Sequence, residues 1–138
     1  MKTFKVAIAV SLVSMISLGS ITVSAMDKNG RYFALGVGKR SCEDYVKFRE
    51  KRLENFTPEQ YEIADHVIEH WVSGYLTAHN FYVTDTYNVM GDATIDQLEG
   101  WLDDYCKSNQ KKLFAEAVFV MVQSLHPKRV VADPSATK

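Results

Sequence analysis

The 138-residue sequence has none of the short motifs that many enzyme classes share. It contains no glycine-rich phosphate loop, no G-x-S-x-G nucleophile elbow and no C-x-x-C pair, and these absences argue against nucleotide-dependent, serine-hydrolase and thiol-redox chemistry. The chain also has no large excess of positive or negative charge, since 16 Lys and Arg are balanced by 17 Asp and Glu. Without a basic stripe, we predict no binding to nucleic acid or anionic membranes. We therefore predict a protein that is not an enzyme and uses no cofactor and no metal.

No apolar run is long enough to span a bilayer. Two lysines precede the longest run, at residues 6–18, and small residues follow it at 22–25. This order is typical of a secretory signal peptide. We predict a signal peptide over residues 1–25, cleaved after Ala25, and hence a periplasmic or secreted protein with no membrane association after cleavage. The remaining 113 residues form one domain with a net charge of −3 when histidine is neutral.

Cysteine is scarce, with only Cys42 and Cys106 in the chain. In an oxidising compartment, two cysteines in a small exported domain most simply form a disulfide with each other. The bond would close a loop of more than sixty residues, for which chain entropy gives at most about 4 kcal/mol of stabilisation. The alternative is a pair of reduced thiols that are buried independently.

The periodicity predicts an all-α fold, a small four-helix domain with one disulfide. Residues 26–40, with three glycines, are predicted to be an irregular lead-in, 41–127 the helical domain and 128–138 a disordered tail. Helix one begins at Ser41 and ends near residues 54–55. Capping boxes at Thr57 and Thr94 predict the starts of helices two and three, which reach residues 80 and 106. A long loop covers 82–93, and helix four ends before Pro127.

Helix two carries the longest apolar stripe and is predicted to be the central helix of the fold. An isolated glycine on the edge of that stripe, Gly74, costs about 1 kcal/mol relative to alanine in a helix, and a close helix crossing is one compensation. Large aromatic residues on helices two and three are predicted to be core residues or anchors for a partner. The candidate partner-binding or core residues are Trp71, Gly74, Tyr75, Trp101 and Tyr105. The inner face of helix four carries Leu113, Phe114, Ala117, Val118, Met121, Val122 and Leu125.

One pattern suggests metal chemistry. His66, Glu69 and His70 have the H-x-x-E-H form of inverted zinc-peptidase motifs, and histidines at i and i+4 share one helical face. The same residues also form the polar face opposite the apolar stripe, and we favour this interpretation. Asp103 and Asp104 adjoin each other on helix three, where consecutive residues point apart, so they are predicted to be solvated.

Two segments resemble a known family. The segment Ser41-Cys42-Glu43-Asp44-Tyr45 resembles the opening of the HdeA/HdeB periplasmic acid chaperones, and residues 106–114 are similar to the segment around that family's second cysteine. The interval between the cysteines is longer here than in HdeA. The resemblance implies a chaperone that binds unfolding client proteins under acid stress.

A second resemblance involves the middle of the chain. Gly74-Tyr75 on a central helix, followed by residues 101–109 and an apolar last helix, looks like the Tai-type immunity proteins of type VI secretion. That resemblance implies the alternative function, an immunity or inhibitor protein that binds a peptidoglycan hydrolase toxin. The expected partners are thus several protein clients or a single protein, and the aromatic residues are also compatible with a homodimer.

The acid-chaperone hypothesis has a physical basis. In strong acid the carboxylates are neutral while 14 Lys and Arg and four His stay charged, so the net charge moves from −3 toward +18. Self-repulsion then loosens compact states. A disulfide would hold the opened chain together while apolar helix faces become available to clients.

Overall fold

The computed structural model describes residues 27–136. In this part of the chain there are four α-helices and no β-strand: α1 (Cys42–Arg49), α2 (Pro58–Tyr82), α3 (Ile95–Ser108) and α4 (Phe114–Leu125). Short 3-10 turns, Gly36–Lys39 and His126–Lys128, precede α1 and follow α4. The all-α, four-helix prediction is therefore confirmed. The predicted signal peptide, residues 1–25, lies outside the described residues.

Residues 27–32 belong to a compact unit of their own, separate from the unit that begins at Phe33. The Asp27 carboxylate accepts hydrogen bonds from the backbone N–H groups of Asn29 and Arg31, both at 2.8 Å. These bonds close a local turn. The helical domain described below is formed entirely by residues 33–136.

Local capping fixes where the helices begin. The Thr57 hydroxyl accepts from the Gln60 backbone N–H, and the Gln60 side chain accepts from the Thr57 N–H at 2.8 Å, which completes a capping box. Thr94 and Gln97 repeat this arrangement at α3. Both predicted boxes are confirmed. They satisfy backbone donors that would otherwise have no partner in the first helical turn.

The first helix is shorter than predicted. It ends at Arg49 instead of continuing to residues 54–55, and Lys51 and Asn55 both adopt positive φ angles, +53° and +64°. Left-handed residues cannot continue a right-handed helix. The prediction was wrong here because charged residues with good helix propensity fill the segment and give no stop signal.

Helix α4 is the centre of the fold. Five of its residues are almost completely buried: Phe114, Ala117, Val118, Met121 and Val122. Around them pack buried residues of the other helices and the long loop, namely Val46, Val72, Leu76, Val89, Leu98 and Leu102. The prediction that α2 is central was wrong, since only Val72 and Leu76 of its 25 residues are buried. The apolar stripe on α2 is real, but its first half has no helix covering it.

The disulfide joins the start of α1 to the last turn of α3. Cys42 and Cys106 are bonded, with both residues fully buried and their Cα atoms 4.7 Å apart. Next to this bond, the Cys42 N–H donates to the Lys112 carbonyl and the Phe114 N–H donates to the Arg40 carbonyl, each at 2.8 Å. The start of α1 is therefore held covalently to α3 and by backbone bonds to the α3–α4 connection.

The close approach that we expected at Gly74 occurs elsewhere. Gly74 is exposed, and a Cβ built on it would meet no atom within 4 Å. A Cβ on Gly38 would instead overlap the Trp71 ring. The Trp71 indole N–H also donates to the Leu35 carbonyl at 3.0 Å. The lead-in thus packs its backbone against an α2 aromatic ring at a position where only glycine fits.

The long loop after α2 is tied to the segment that follows α4. Val130 exchanges backbone hydrogen bonds with Asn88, at 2.9 and 3.0 Å, and its carbonyl also accepts from Tyr87. Within the loop, Gly91 adopts φ +58°, and a Cβ built on it would overlap the Lys128 carbonyl oxygen. Backbone hydrogen bonds therefore fix residue 130, near the start of the segment predicted to be a tail, to the loop.

Candidate functional site

An open apolar groove runs between α1 and the first half of α2. Its volume is about 530 Å³, within the range of sites that hold a drug-sized ligand or several side chains. Three polar residues, Arg40, Asp44 and Gln60, also line the groove. The apolar lining residues are Val37, Tyr45, Phe48, Leu53, Phe56, Ile63, Ala64, Val67, Ile68 and Phe114.

Three of the lining residues are unusually exposed for their type. Ile63 retains 63% of its accessible surface, Val67 50% and Phe56 41%. Ile63 and Val67 are one helical turn apart, so they present a continuous apolar strip on α2. Burying such side chains gains about 25 cal/mol per Å². This strip is therefore available for contact with an apolar surface of another molecule.

Beside the groove, one guanidinium joins three helices. Arg49, at the end of α1, forms ion pairs with Asp65 of α2 and with Glu99 and Asp103 of α3, each at 3.1 Å. Asp65 is half exposed, whereas the other two carboxylates are more buried. We call these four residues the Arg49 network. It fixes the wall of the groove, because α1 is also the helix that carries Tyr45 and Phe48.

The Asp103 carboxylate has a second donor. The Tyr45 hydroxyl donates to it at 2.8 Å. Burial, together with this hydrogen bond to an anion, raises the pKa of the Tyr45 phenol far above its usual range, so the phenol stays protonated and continues to donate. The prediction that Asp103 is solvated was wrong, while Asp104 is exposed as expected.

The aromatic residues predicted to be partner-binding or core residues form two ring pairs outside the lining of the groove, one on α2 and one on α3. Trp71 and Tyr75 of α2 have ring centroids 5.9 Å apart, and Trp71 also lies 5.9 Å from Phe114. Trp101 and Tyr105 of α3 stack nearly parallel at 5.1 Å. All four aromatic residues are half-buried and pack against the core. Gly74 lies on the exposed side of α2.

The histidines fall into two groups. His66 and His70 are exposed, with ring centroids 6.3 Å apart, and His66 Nδ1 lies 3.7 Å from the Glu69 carboxylate. Within residues 27–136, no group of three or more His, Cys, Asp or Glu residues is arranged to hold a metal ion. Of the H-x-x-E-H residues, His66 and His70 lie on the exposed side of α2, whereas Glu69 is partly buried.

The second group is partly buried. His79, near the end of α2, and His126, just after α4, meet edge to face with centroids 5.7 Å apart. His79 Nε2 and His126 Nδ1 are both buried without a hydrogen-bond partner among the described residues. A buried nitrogen without a hydrogen bond lowers the stability of a fold, so this histidine pair lies in an energetically unfavourable environment.

Sequence reasoning missed the groove and the network beside it. Ile63 lies one position before Ala64, just as Val67 lies one before Ile68, so the apolar arc of α2 is wider than a single helix contact needs. That excess width is a signal that could have indicated the exposed strip. Arg49 offered no such signal, since its partners follow it by 16 to 54 residues.

Comparison with known proteins yields no relative. No family model, curated protein or solved structure matches the chain. Among the described residues, no helix is both long and apolar enough to cross a membrane.

Proposed function

We propose that this chain is a periplasmic protein-binding protein, an HdeA-like acid-stress chaperone that binds unfolding clients. The observation that carries the proposal is the open apolar groove between α1 and α2, with its strip of exposed Ile63 and Val67. A client that unfolds exposes apolar side chains of many sequences. A groove lined mainly by aliphatic and aromatic side chains can accept such segments with little sequence preference.

We expect acid to weaken the ion pairs of the Arg49 network at the wall of this groove. At neutral pH, Arg49 is attracted to three carboxylates on two other helices. Protonation of those carboxylates removes the attraction and leaves the guanidinium charge in place. The groove can then widen, because the Arg49–Asp65 ion pair no longer joins α1 to α2.

The disulfide sets a limit to that opening. Cys42 lies at the start of α1, on the same helix as Arg49, and its bond to Cys106 does not depend on pH. The start of α1 therefore remains joined to α3 when the far end is released. Under this arrangement acid exposes further apolar surface around the groove without separating the helices.

The test is client aggregation at about pH 2 to 3, where carboxylates are protonated. The oxidised protein is added in increasing amounts, and light scattering of an acid-labile client is followed. We expect protection, and we expect Val67→Lys to reduce it strongly because it places a permanent charge in the groove. Ala78→Lys is the matched control, since Ala78 is exposed on the same helix outside the groove. Absence of protection by the parent protein, or equal protection by both variants, would contradict the proposal.

One observation favours the alternative, a periplasmic immunity or inhibitor protein that binds a peptidoglycan hydrolase toxin. The groove is open in the folded domain with the disulfide and the Arg49 network intact. A folded partner could therefore bind without acid. The discriminating experiment measures peptidoglycan hydrolysis at about pH 7 by a partner recovered with the protein. Stoichiometric inhibition that Val67→Lys abolishes and Ala78→Lys preserves would support this function.

A further inference from the structure

The described histidines that are not exposed lie where three segments of the chain meet. His79 is on the last turns of α2, and His126 begins the 3-10 turn after α4. Arg129 follows in the same C-terminal segment and donates to the His126 carbonyl at 3.0 Å and to the Asp85 carbonyl at 2.8 Å. The third segment is the loop of residues 83–93, to which Asp85 belongs.

The three side chains that meet at this junction, His79, His126 and Arg129, are all basic, while the loop also carries the carboxyl groups of Asp85 and Asp92. Arg129 is permanently charged, and each histidine becomes cationic when it binds a proton. The loop contributes Asp85 through its backbone carbonyl, and among the described residues no carboxylate lies within 4 Å of a nitrogen of His79, His126 or Arg129. A proton taken up here therefore has no carboxylate at ion-pair distance to compensate it.

The burial of two ring nitrogens also makes proton binding unfavourable in the closed junction. His79 Nε2 and His126 Nδ1 have no accessible surface to water and no partner in the described residues. Water would solvate them if the segments separated. Opening the junction thus provides hydration for two ring nitrogens and distance between three potential cations.

We propose that His79, His126 and Arg129 form an acid-sensitive latch, in which proton uptake by the histidines releases the segment 126–130 from the loop 83–93. The bonds that would be lost are the backbone pair between Asn88 and Val130, the bond from the Tyr87 N–H to the Val130 carbonyl, and the Arg129 bond to the loop. This device does not depend on the proposed function, because it concerns a local opening that occurs with or without a client.

The direction of the pH effect follows from the environment. Burial, and then the nearby His126 and Arg129 charges, lower the pKa of His79 below its ordinary value of 6.5. A group whose pKa is lower in the closed form binds protons more readily in the open form. The latch is therefore closed above about pH 6.5 and weakens as the pH falls below that value. This range lies above the range in which carboxylates are protonated.

The experiment is amide hydrogen exchange by NMR on the oxidised protein between about pH 7 and about pH 5, corrected for intrinsic exchange rates. We expect the protection of the Asn88 and Val130 amides to fall across this range, while the amide of Val118 in α4 keeps its protection. The imidazole resonance of His79 must titrate over the same range.

Two variants separate the latch from general acid loosening. His126→Phe keeps a ring of similar shape and cannot bind a proton. His79→Gln removes the proton-binding ring of the other histidine and leaves a smaller side chain. Either variant is expected to reduce the pH dependence at Val130, because only one of the two histidines remains. His66→Gln, at an exposed histidine of the same helix, is expected to retain it.

Three results would overturn the latch. The first is constant protection of Val130 in the parent protein across the pH range. The second is an unchanged pH dependence in a folded His126→Phe or His79→Gln variant. If both variants fail to fold, the parent protein still decides: histidines that titrate without loss of Asn88 and Val130 protection contradict the proposal.

Discussion

Replacing Arg49 by methionine tests how much of the fold depends on one ionised network. Methionine keeps most of the aliphatic length of the side chain and removes the guanidinium. In the folded protein this leaves Asp65, Glu99 and Asp103 without their ion-pair partner, although Asp103 keeps its bond from Tyr45.

The expected loss can be worked from exposure. Asp65 is 52% exposed, so its pair contributes only a few tenths of a kcal/mol. Glu99 and Asp103 are 33% and 24% exposed, and each charged hydrogen bond contributes about 1 kcal/mol. We expect Arg49→Met to lower the free energy of unfolding by about 2 kcal/mol at neutral pH. With a urea m-value of about 1 to 2 kcal/mol/M, the midpoint falls by about 1 to 2 M.

Urea denaturation at about pH 7, followed by circular dichroism, provides the measurement. Arg52→Met is the control, because the Arg52–Glu50 pair is exposed on both sides and should contribute at most about 0.5 kcal/mol.

Double-mutant cycles then divide the network into pairs. The coupling free energy between Arg49→Met and Asp103→Asn should exceed that between Arg49→Met and Asp65→Asn. The reason is that the Asp103 side chain is more buried than that of Asp65. The reasoning would be refuted if Arg49→Met changed stability no more than Arg52→Met.

Two further predictions concern the framework. Replacing Cys42 and Cys106 together by alanine should lower the free energy of unfolding by up to about 4 kcal/mol, because the bond closes a loop with a sequence separation of 64; a loss below about 1 kcal/mol in urea denaturation would contradict this. Gly38→Ala should cost about 1 to 3 kcal/mol by forcing the indole beneath it to move. Gly74→Ala, which adds a methyl group in open space on a helix, should stabilise by up to about 1 kcal/mol in the same urea denaturation experiment. A greater loss of stability for Gly74→Ala than for Gly38→Ala would contradict the packing argument.

The parts of the fold that sequence could predict are those with local causes. Thr57 with Gln60 and Thr94 with Gln97 specify helix starts through bonds that span three residues. The disulfide followed from cysteine number and an expected compartment. The end of α1 was missed because the reversal at Lys51 uses a positive φ in a residue type that gives no warning of it.

The candidate site was less accessible for a related reason. A stripe shows that one face of α2 is apolar, but it does not show which part of that face another element covers. Burial of Val72 and exposure of Val67 depend on where α4 lies, and that is decided by contacts distant in sequence. The same holds for Gly38 and Trp71, which meet across 33 positions and share no pattern.

The position of the cross-link relative to α4 has a consequence for how the molecule comes apart. The covalent ring closed at Cys42 and Cys106 contains the first three helices, whereas the helix that fills the core follows the ring. If α4 left the core, the interior would be empty, but the covalent ring would still limit how far the other three helices can separate. Recovery would then need one helix to return to a site whose walls are still assembled, and a single backbone cut inside the ring would not divide the protein in two.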